Sequence, residues 1–377
     1  MSRVLVIAHL GRHFRIFGHY DFKVLVEMGH EVHIAANFNE TIDNFEDSNI
    51  VKHQIDFSRN PFSIQNIKAY TQLKELFSNY NFGVIHCQSP SGGAVTRLAS
   101  KKLRAKGTKV LYTAHGLHFY KGAPAINWLM YYTIEKQLGR FTDCIITINE
   151  EDYQLSKKWL RTIPSVKYIH GVGINTTRFS KPNATQKSDL RKKYGYNHND
   201  FILFYAAELN QNKNQEFLIR GLALLIKEIP QIKLLLAGQG RAFKQLEHIV
   251  EEMKLQNHVE FLGYRKDIPD LLKIADVSVS SSRREGLPLN TLEAMATGLP
   301  LVLTNCRGNR DLVIKDVNGY VVEQNDLVNF SEAIKDLYAS EELRGKYGRA
   351  SLEMVRQYSL DNVKKEMKEI YKLYLEG

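Results

Sequence analysis

Short apolar runs of strand length alternate with longer amphipathic stretches along this chain, and the alternation is carried through twice. In the first half, residues 4–8, 31–36, 51–55, 83–87, 110–113, 144–148 and 166–169 read as strands, with helical patterns such as 64–77 and 93–106 between them. In the second half, 201–206, 233–237, 259–262, 277–280, 301–304 and 320–322 read as strands, and 215–227, 242–253, 269–274 and 292–296 as helices. Adjacent parallel strands need a crossover, usually a helix, so this pattern predicts parallel sheets covered on both faces. The fold class is α/β, with two Rossmann-like doubly wound domains.

At 377 residues the chain is long for a single core. The stretch 171–183 is rich in glycine, small polar residues and proline, and reads as the linker. We expect an N-terminal domain over 1–181 and a C-terminal domain over 182–358. The tail over 359–377 has Val363, Met367, Ile370 and Tyr374 on one helical stripe, which needs a partner surface.

Charge is unevenly spread. Residues 1–181 hold 23 Lys+Arg against 14 Asp+Glu, whereas the remainder holds 28 against 27. The basic half suits anionic partners: lipid headgroups, phosphorylated substrates or nucleic acid. No nucleic-acid motif accompanies the charge, so nucleic acid is the weakest of these, and solubility alone is the plain alternative. Cys87, Cys144 and Cys306 are scattered and lack CxxC spacing, which fits buried thiols in a reducing compartment. No apolar run approaches the roughly 18–20 residues of a membrane span, and the N-terminus runs straight into a strand pattern without a signal peptide. The expectation is a cytoplasmic protein, with peripheral attachment to the inner face of the plasma membrane as an option. Lys101 to Lys106, Trp128 to Tyr132 and Lys157 to Arg161 are the basic and aromatic candidates for that contact.

Doubly wound sheets bind ligands beyond the carboxyl ends of their strands. Three such places stand out in the second half: Glu208 to Lys213, Gly238 to Arg241, and Arg283 to Pro288. Asn290 or Thr291 is positioned to cap the helix after the third, whose N-terminus suits phosphate oxygens. Glu293, in the first turn of that helix, can accept hydrogen bonds from two ribose hydroxyls, while Glu285 in the preceding loop reaches toward a sugar. Each feature alone is weak: a surface lysine such as Lys213 is commonly solvated, and Gly238-Gln239-Gly240 lacks the third glycine of a dinucleotide fingerprint.

Together they are specific. The stretch EGLPLNTLEAMATGLP over 285–300 resembles the E-x7-E signature of the retaining glycosyltransferases of family 4, which have the GT-B fold. The turn at Gly263 to Ile268, the linker entry Gly173-Ile174-Asn175 and the segment Arg307 to Leu312 are similar to the same family, and the resemblance covers essentially the whole chain. The segment TAHGLHFYKGAP over 113–124 is similar to a branch that builds capsular and exopolysaccharides.

The resemblance implies roles. Glu293 matches the glutamate that holds the nucleotide ribose, Glu285 the one near the donor sugar, and Lys213 a lysine on the diphosphate. His115 matches a histidine that contacts the donor sugar, Gly11 a glycine packed close to donor and acceptor, and Arg265 lies in a turn near the base. The loop Gly286, Leu287, Pro288, Leu289 and Asn290, with Gly238, completes the donor site. One departure matters: Glu208 stands where the family usually carries an arginine beside the diphosphate, so Glu208 must turn away or pair with Lys213. Arg283, Arg284, Arg12 or the backbone over 288–291 is left to supply the second positive charge. The first loop also has Gly11 alone, without the glycine pair common in the family.

The resemblance therefore implies transfer of a hexose or N-acetylhexosamine from a nucleotide-sugar, with UDP the favoured nucleotide, to a glycan acceptor such as an undecaprenyl-diphosphate-linked sugar. It implies retention by front-face attack, with the leaving phosphate taking the acceptor's proton. No D-x-D sequence occurs, so charge neutralisation by Lys213 and a helix N-terminus is expected in place of a metal, and no cofactor. Closure of the two domains around donor and acceptor, excluding water, is expected to accompany turnover. The alternatives are a GT-B-fold nucleotide-sugar epimerase and a non-catalytic nucleotide-sugar-binding subunit.

Overall fold

The structure is a computed structural model that describes residues 1–14, 19–39, 49–60 and 63–376. It divides into two compact units, Met1–Gly173 with Leu360–Gly377, and Ile174–Ser359.

The first unit contains a seven-stranded sheet: β1 (Arg3–Leu10), β2 (Glu31–Asn37), β3 (Ile50–Gln54), β4 (Val84–Gln88), β5 (Lys109–Ala114), β6 (Cys144–Thr147) and β7 (Ser165–Tyr168). Its order is β3-β2-β1-β4-β5-β6-β7, and every pairing is parallel. Strands covered on both faces cannot alternate apolar with polar, which is why β1 and β6 read as continuous apolar runs. β4 is buried throughout although it contains His86 and Gln88.

The second unit holds a six-stranded sheet: β8 (Phe201–Ala206), β9 (Ile232–Ala237), β10 (Val259–Gly263), β11 (Val277–Ser280), β12 (Leu301–Thr304) and β13 (Gly319–Val322), in the order β10-β9-β8-β11-β12-β13 and again parallel. Its core joins Phe201, Leu203, Leu234, Leu236, Val277 and Val302 to the helix residues Phe217, Leu222 and Ile334.

The C-terminal helix Leu360–Leu375 belongs to the first unit and packs on the helix His19–Glu27. Val363, Met367, Ile370 and Tyr371 are its buried residues, so the stripe turns on Tyr371 more than on the partly exposed Tyr374. Burying a large apolar side chain stabilises by about 1.5–3 kcal/mol, enough for this stripe to hold the helix.

Some expected helices differ from the observed ones. The pattern over 93–106 forms two helices, Pro90–Ala99 and Lys101–Ala105, because the Ser100 hydroxyl bonds back to the Thr96 carbonyl and the first helix stops there. The helix at Gln215 ends at Ala223 instead of 227; turns follow, in a run of leucines that the core anchors without helical periodicity. Trp128–Tyr132 forms a π-helical turn inside a longer helical stretch. All three cysteines are buried free thiols.

In each sheet the chain reverses its direction of winding once, between β1 and β4 in the first and between β8 and β11 in the second. A crevice opens outside the carboxyl ends of the strands at such a switch point. That rule selects Leu10 to His13 and Gln88 to Ser89 in one unit, and Ala207 to Lys213 and Ser281 to Gly286 in the other.

Candidate active site

In the second unit, the loops after β8 and β11 are bonded to each other. The Arg283 backbone N–H donates to the Asn212 carbonyl at 2.8 Å, and the Asn212 side chain donates to the Arg284 carbonyl at 3.0 Å. Ser281 Oγ donates to the Lys213 carbonyl at 2.7 Å. These bonds carry Lys213 to Glu285: its Nζ lies 2.5 Å from Glu285 Oε1, and both side chains are largely enclosed. Arg307 Nε donates to the Glu285 carbonyl at 3.0 Å, bringing a guanidinium to the same loop.

Glycines let these loops approach. Gly308 has φ +80°, and a Cβ there would stand 2.6 Å from the Gly286 carbonyl oxygen. A Cβ on Gly238 would stand 1.9 Å from the Ala207 carbonyl oxygen, so the loops after β8 and β9 pack backbone to backbone only with glycine there.

The helix that follows spans Leu289–Ala296, one turn earlier than expected. Its N-cap is Pro288 and no side chain caps it, so Asn290 and Thr291 lie inside the first turn instead of capping it. Proline in extended conformation needs no N–H partner, and the rigid Gly286-Leu287-Pro288 segment, with Leu287 buried, sets the helix start. The first N–H groups of a helix lack an internal carbonyl and can meet an anion. Glu293 consequently falls in the second turn, where burial raises its pKa to about 7 against the opposing pull of Arg178.

The remaining expected residues fall as follows. Glu208 is exposed and does not take Lys213, which is held by Glu285; the Glu208 backbone carbonyl accepts from Gln215 Nε2 at 3.0 Å. Arg265 follows β10 and pairs with Asp267 through both Nε and Nη2, with its guanidinium 5.7 Å from the centre of the Tyr194 ring. Of the arginines considered for the second positive charge, Arg283 and Arg284 are exposed. Arg307, whose guanidinium bonds to the Glu285 carbonyl, was not among them.

In the first unit, Gly11 is buried and opens a short helical turn, Gly11–His13, directly after β1. His115 follows β5. Its Nε2 lies 3.2 Å from Gln88 Oε1, the last residue of β4, and His13 Nε2 lies 3.1 Å from the same oxygen. The rings of His13 and His115 meet edge to face at 4.9 Å. Gln88 Nε2 donates to Asp21 Oδ2 at 2.6 Å. Next to it, His86 bonds through Nδ1 to the Tyr371 hydroxyl and through Nε2 to Thr113 Oγ1, both at 2.7 Å. Burial holds His13 down at about 4 and His86 at about 3, and pushes His115 well below its ordinary value, with His13 and His86 adding to it. The same burial pushes Asp21 up to about 7, against hydrogen bonds from Gln88 and Tyr371. Ser89 supports the β1 end from a left-handed backbone, φ 68°, with its Oγ accepting the His9 N–H at 3.2 Å. Such conformations in a non-glycine residue cost about 1–3 kcal/mol and concentrate at functional sites.

Sequence reasoning missed Gln88, Asp21, His13, His86, Tyr371 and Arg307 as partners. A signal existed for some of them. His86 and Gln88 are two apart in an otherwise apolar strand, as are Thr113 and His115, which puts two polar residues on one face of each of two adjacent strands. Among the described residues no group of three or more His, Cys, Asp or Glu side chains is arranged to hold a metal ion.

Comparison with known proteins follows the same division. Residues 186–354 match the family model described as glycosyl transferases group 1, and residues 6–149 match that of glycosyl transferase 4-like proteins. EpsD of Bacillus subtilis (strain 168), which bears the name of a glycosyltransferase, is 41% identical over 375 residues, 100% of this chain and 97% of its own. The UDP-Gal:alpha-D-GlcNAc-diphosphoundecaprenol alpha-1,3-galactosyltransferase of Escherichia coli is 30% identical over 73% of this chain and 71% of its own. Among solved structures, Anabaena Alr3699/HepE in complex with UDP and glucose superposes with a TM-score of 0.80 at 18% identity, over 99% of this chain and 100% of that one. The chain therefore belongs to the group 1, family 4 glycosyltransferases of the GT-B fold.

Proposed function

We propose that this glycosyltransferase moves a hexose or N-acetylhexosamine from a UDP-sugar to a lipid-linked glycan acceptor in exopolysaccharide or capsule synthesis, with retention of configuration and without a metal ion. The second unit is the donor unit and the first carries the acceptor. UDP is favoured because HepE was solved with it. A diphosphate-linked lipid acceptor is favoured because the Escherichia coli relative is named for one.

The observation that carries the reading is the pairing of Lys213 with Glu285 beside the start of the Leu289–Ala296 helix. As the sugar–phosphate bond breaks, negative charge grows on the diphosphate. Lys213, Arg307 and the helix N–H groups supply fixed positive potential there, which is the role a divalent cation fills elsewhere. The diphosphate competes with Glu285 for the ammonium and frees that carboxylate to accept hydrogen bonds from sugar hydroxyls. Glu293 takes the ribose hydroxyls, and Arg265, held flat by Asp267, offers a face to the base. Glu208 is exposed and does not pair with Lys213, and this reading gives it no part in neutralising the diphosphate.

No described helix is long and apolar enough to cross a membrane. Ile126, at 55% exposure, and Leu129, at 69%, present apolar surface in a segment flanked in sequence by the exposed Lys121 and Lys136, a combination that suits insertion at an anionic bilayer face.

Transfer assays with a panel of UDP-sugars and undecaprenyl-diphosphate-linked acceptors test the reading, with and without EDTA, and with the product anomer read by NMR. We expect an α-linked product from one UDP-sugar, insensitive to EDTA. A β-linked product, or loss with EDTA that manganese restores, overturns retention or metal independence respectively. Accumulation of an epimerised nucleotide-sugar without acceptor would replace transfer with the epimerase alternative.

A further inference from the structure

In the second unit the strand ladders stop short of the residues they serve. The register of β8 with β11 ends at Phe204 opposite Ser278, and that of β11 with β12 at Leu303 opposite Ser280. Lys213, Glu285 and Arg307 all lie beyond those ends. Past its last ladder bond a strand end is no longer held in register by its backbone, so other groups must fix the spacing of the loops.

Side chains take over there. Tyr205 and Ser282 join hydroxyl to hydroxyl at 2.7 Å, from β8 to the loop after β11. The Ser281 hydroxyl donates to the Lys213 carbonyl, also at 2.7 Å. Thr304 Oγ1 donates to the Ser282 carbonyl at 2.7 Å, and Asn309 Nδ2 to the Thr304 carbonyl at 2.9 Å. Ser281, Ser282, Thr304 and Asn309 are wholly buried, and Tyr205 nearly so. A buried hydroxyl carries a desolvation cost that an apolar side chain of the same shape would not. Ser281 and Thr304 each offset it on a loop carbonyl. One carbonyl belongs to Lys213 itself, and the other to Ser282 in the loop that leads to Glu285.

We propose that Ser281 and Thr304 are positioning residues for sugar transfer: their buried hydroxyls fix the approach of Lys213 to Glu285, and so hold the ammonium where charge develops on the leaving diphosphate. Neither touches substrate; Ser281 acts through Lys213, and Thr304 through the loop that carries Glu285. A group that meets charge appearing as a bond breaks acts on kcat more than on donor binding. The effect on transfer rests on the function proposed above, while the fixed pairing of Lys213 with Glu285 does not.

The experiment uses Ser281→Ala and Thr304→Val, which remove each hydroxyl with little change of shape, and two readouts. The first needs no substrate: acylation of Lys213 by acetic anhydride, quantified by mass spectrometry, with Glu285→Gln setting the level for a released ammonium. Acylation of Lys213 should rise by about threefold or more in both variants, toward the Glu285→Gln level. The second readout is the rate of transfer. In both variants kcat should fall about tenfold or more, with the KM for nucleotide-sugar within about threefold. In a Lys213→Ala background, Ser281→Ala should change kcat by less than about twofold, because the residue it positions is gone; a serine that served folding alone would lower both backgrounds alike. Thr304→Ser keeps the hydroxyl and should restore both readouts, and Ser281→Ala carries the test if Thr304→Val does not fold. Unchanged acylation of Lys213 or unchanged kcat in folded Ser281→Ala overturns the proposal, as does an equal fall of kcat in both backgrounds. If acylation rises but the unsubstituted protein transfers no UDP-sugar, the assignment of function fails and the positioning of the pair stands.

Discussion

The two sheets carry their strand-end chemistry in opposite ways. At the ends of β1, β4 and β5, the first unit gathers the half-buried His115 with the buried His13, Gln88 and Asp21 into a hydrogen-bonded set whose imidazoles are held neutral. At the ends of β8 and β11, the second unit holds charge: Lys213 against Glu285, Arg307 on the same loop, and a helix N-terminus. Burial around neutral imidazoles gives a site that can orient hydroxyls. Partial enclosure with paired charge gives a site that can trade one anion for another. A glycosyl transfer needs both, since the sugar is neutral while the leaving group gains charge.

The largest effect that would break this contrast is at Lys213. Lys213→Ala should lower kcat by about a hundredfold or more, the usual size for removing one preorganised donor at a developing charge. Initial rates with saturating donor check it, and a change under threefold would mean that the lysine is not at the leaving group. Next comes Glu293. Its pKa, raised to about 7 by burial, should fall when ribose hydroxyls bond to the carboxylate, so nucleotide binding near pH 6.5 should release a proton. Calorimetry in buffers of different ionisation enthalpy reads this, and Glu293→Gln should bind about tenfold more weakly and abolish that component of the release.

A smaller effect separates the units by stability. Asp21 binds its proton more tightly folded than unfolded, so its contribution is fully present below about pH 4 and is lost as pH rises toward about 7. The slope is at most about 1.4 kcal/mol per pH unit. Urea denaturation at pH 5 and pH 8 should show this fall, and Asp21→Asn should flatten it. Glu293 contributes in the same direction between its unfolded value and about 7, so Glu293→Gln is the control for the second unit. The smallest effect concerns the exposed apolar surface. Leu129→Glu should leave stability within about 0.5 kcal/mol, as surface changes do. It should weaken binding to anionic liposomes at low salt if that surface docks on the bilayer.

Legibility followed contiguity along the chain. The second unit's site is built largely from one segment, Glu285 to Glu293, with Lys213 one loop away in the sheet, so its residues could be read as a motif. The first unit's network draws Asp21, Gln88, His115 and Tyr371 from a helix, two strand ends and the C-terminal helix. No local pattern joins them, and only the alternations of His86 with Gln88 on β4 and of Thr113 with His115 at the end of β5 pointed to a shared face. The helix start at Leu289 was misjudged for a related reason: Asn290 and Thr291 are good caps by type, but the buried Leu287 and the extended Pro288 decide where the first turn begins.

Strand-forming runs separated by amphipathic ones were sufficient, without any structure, to establish two parallel α/β sheets and the thirteen strands found among the described residues. They were sufficient because periodicity and burial on both faces are written residue by residue. Tertiary structure alone decided which carboxylate takes Lys213, which arginine joins the loop, and which residues assemble the histidine cluster. Those outcomes depend on distances between segments that are remote in sequence, and on the desolvation that makes each buried polar atom find a partner.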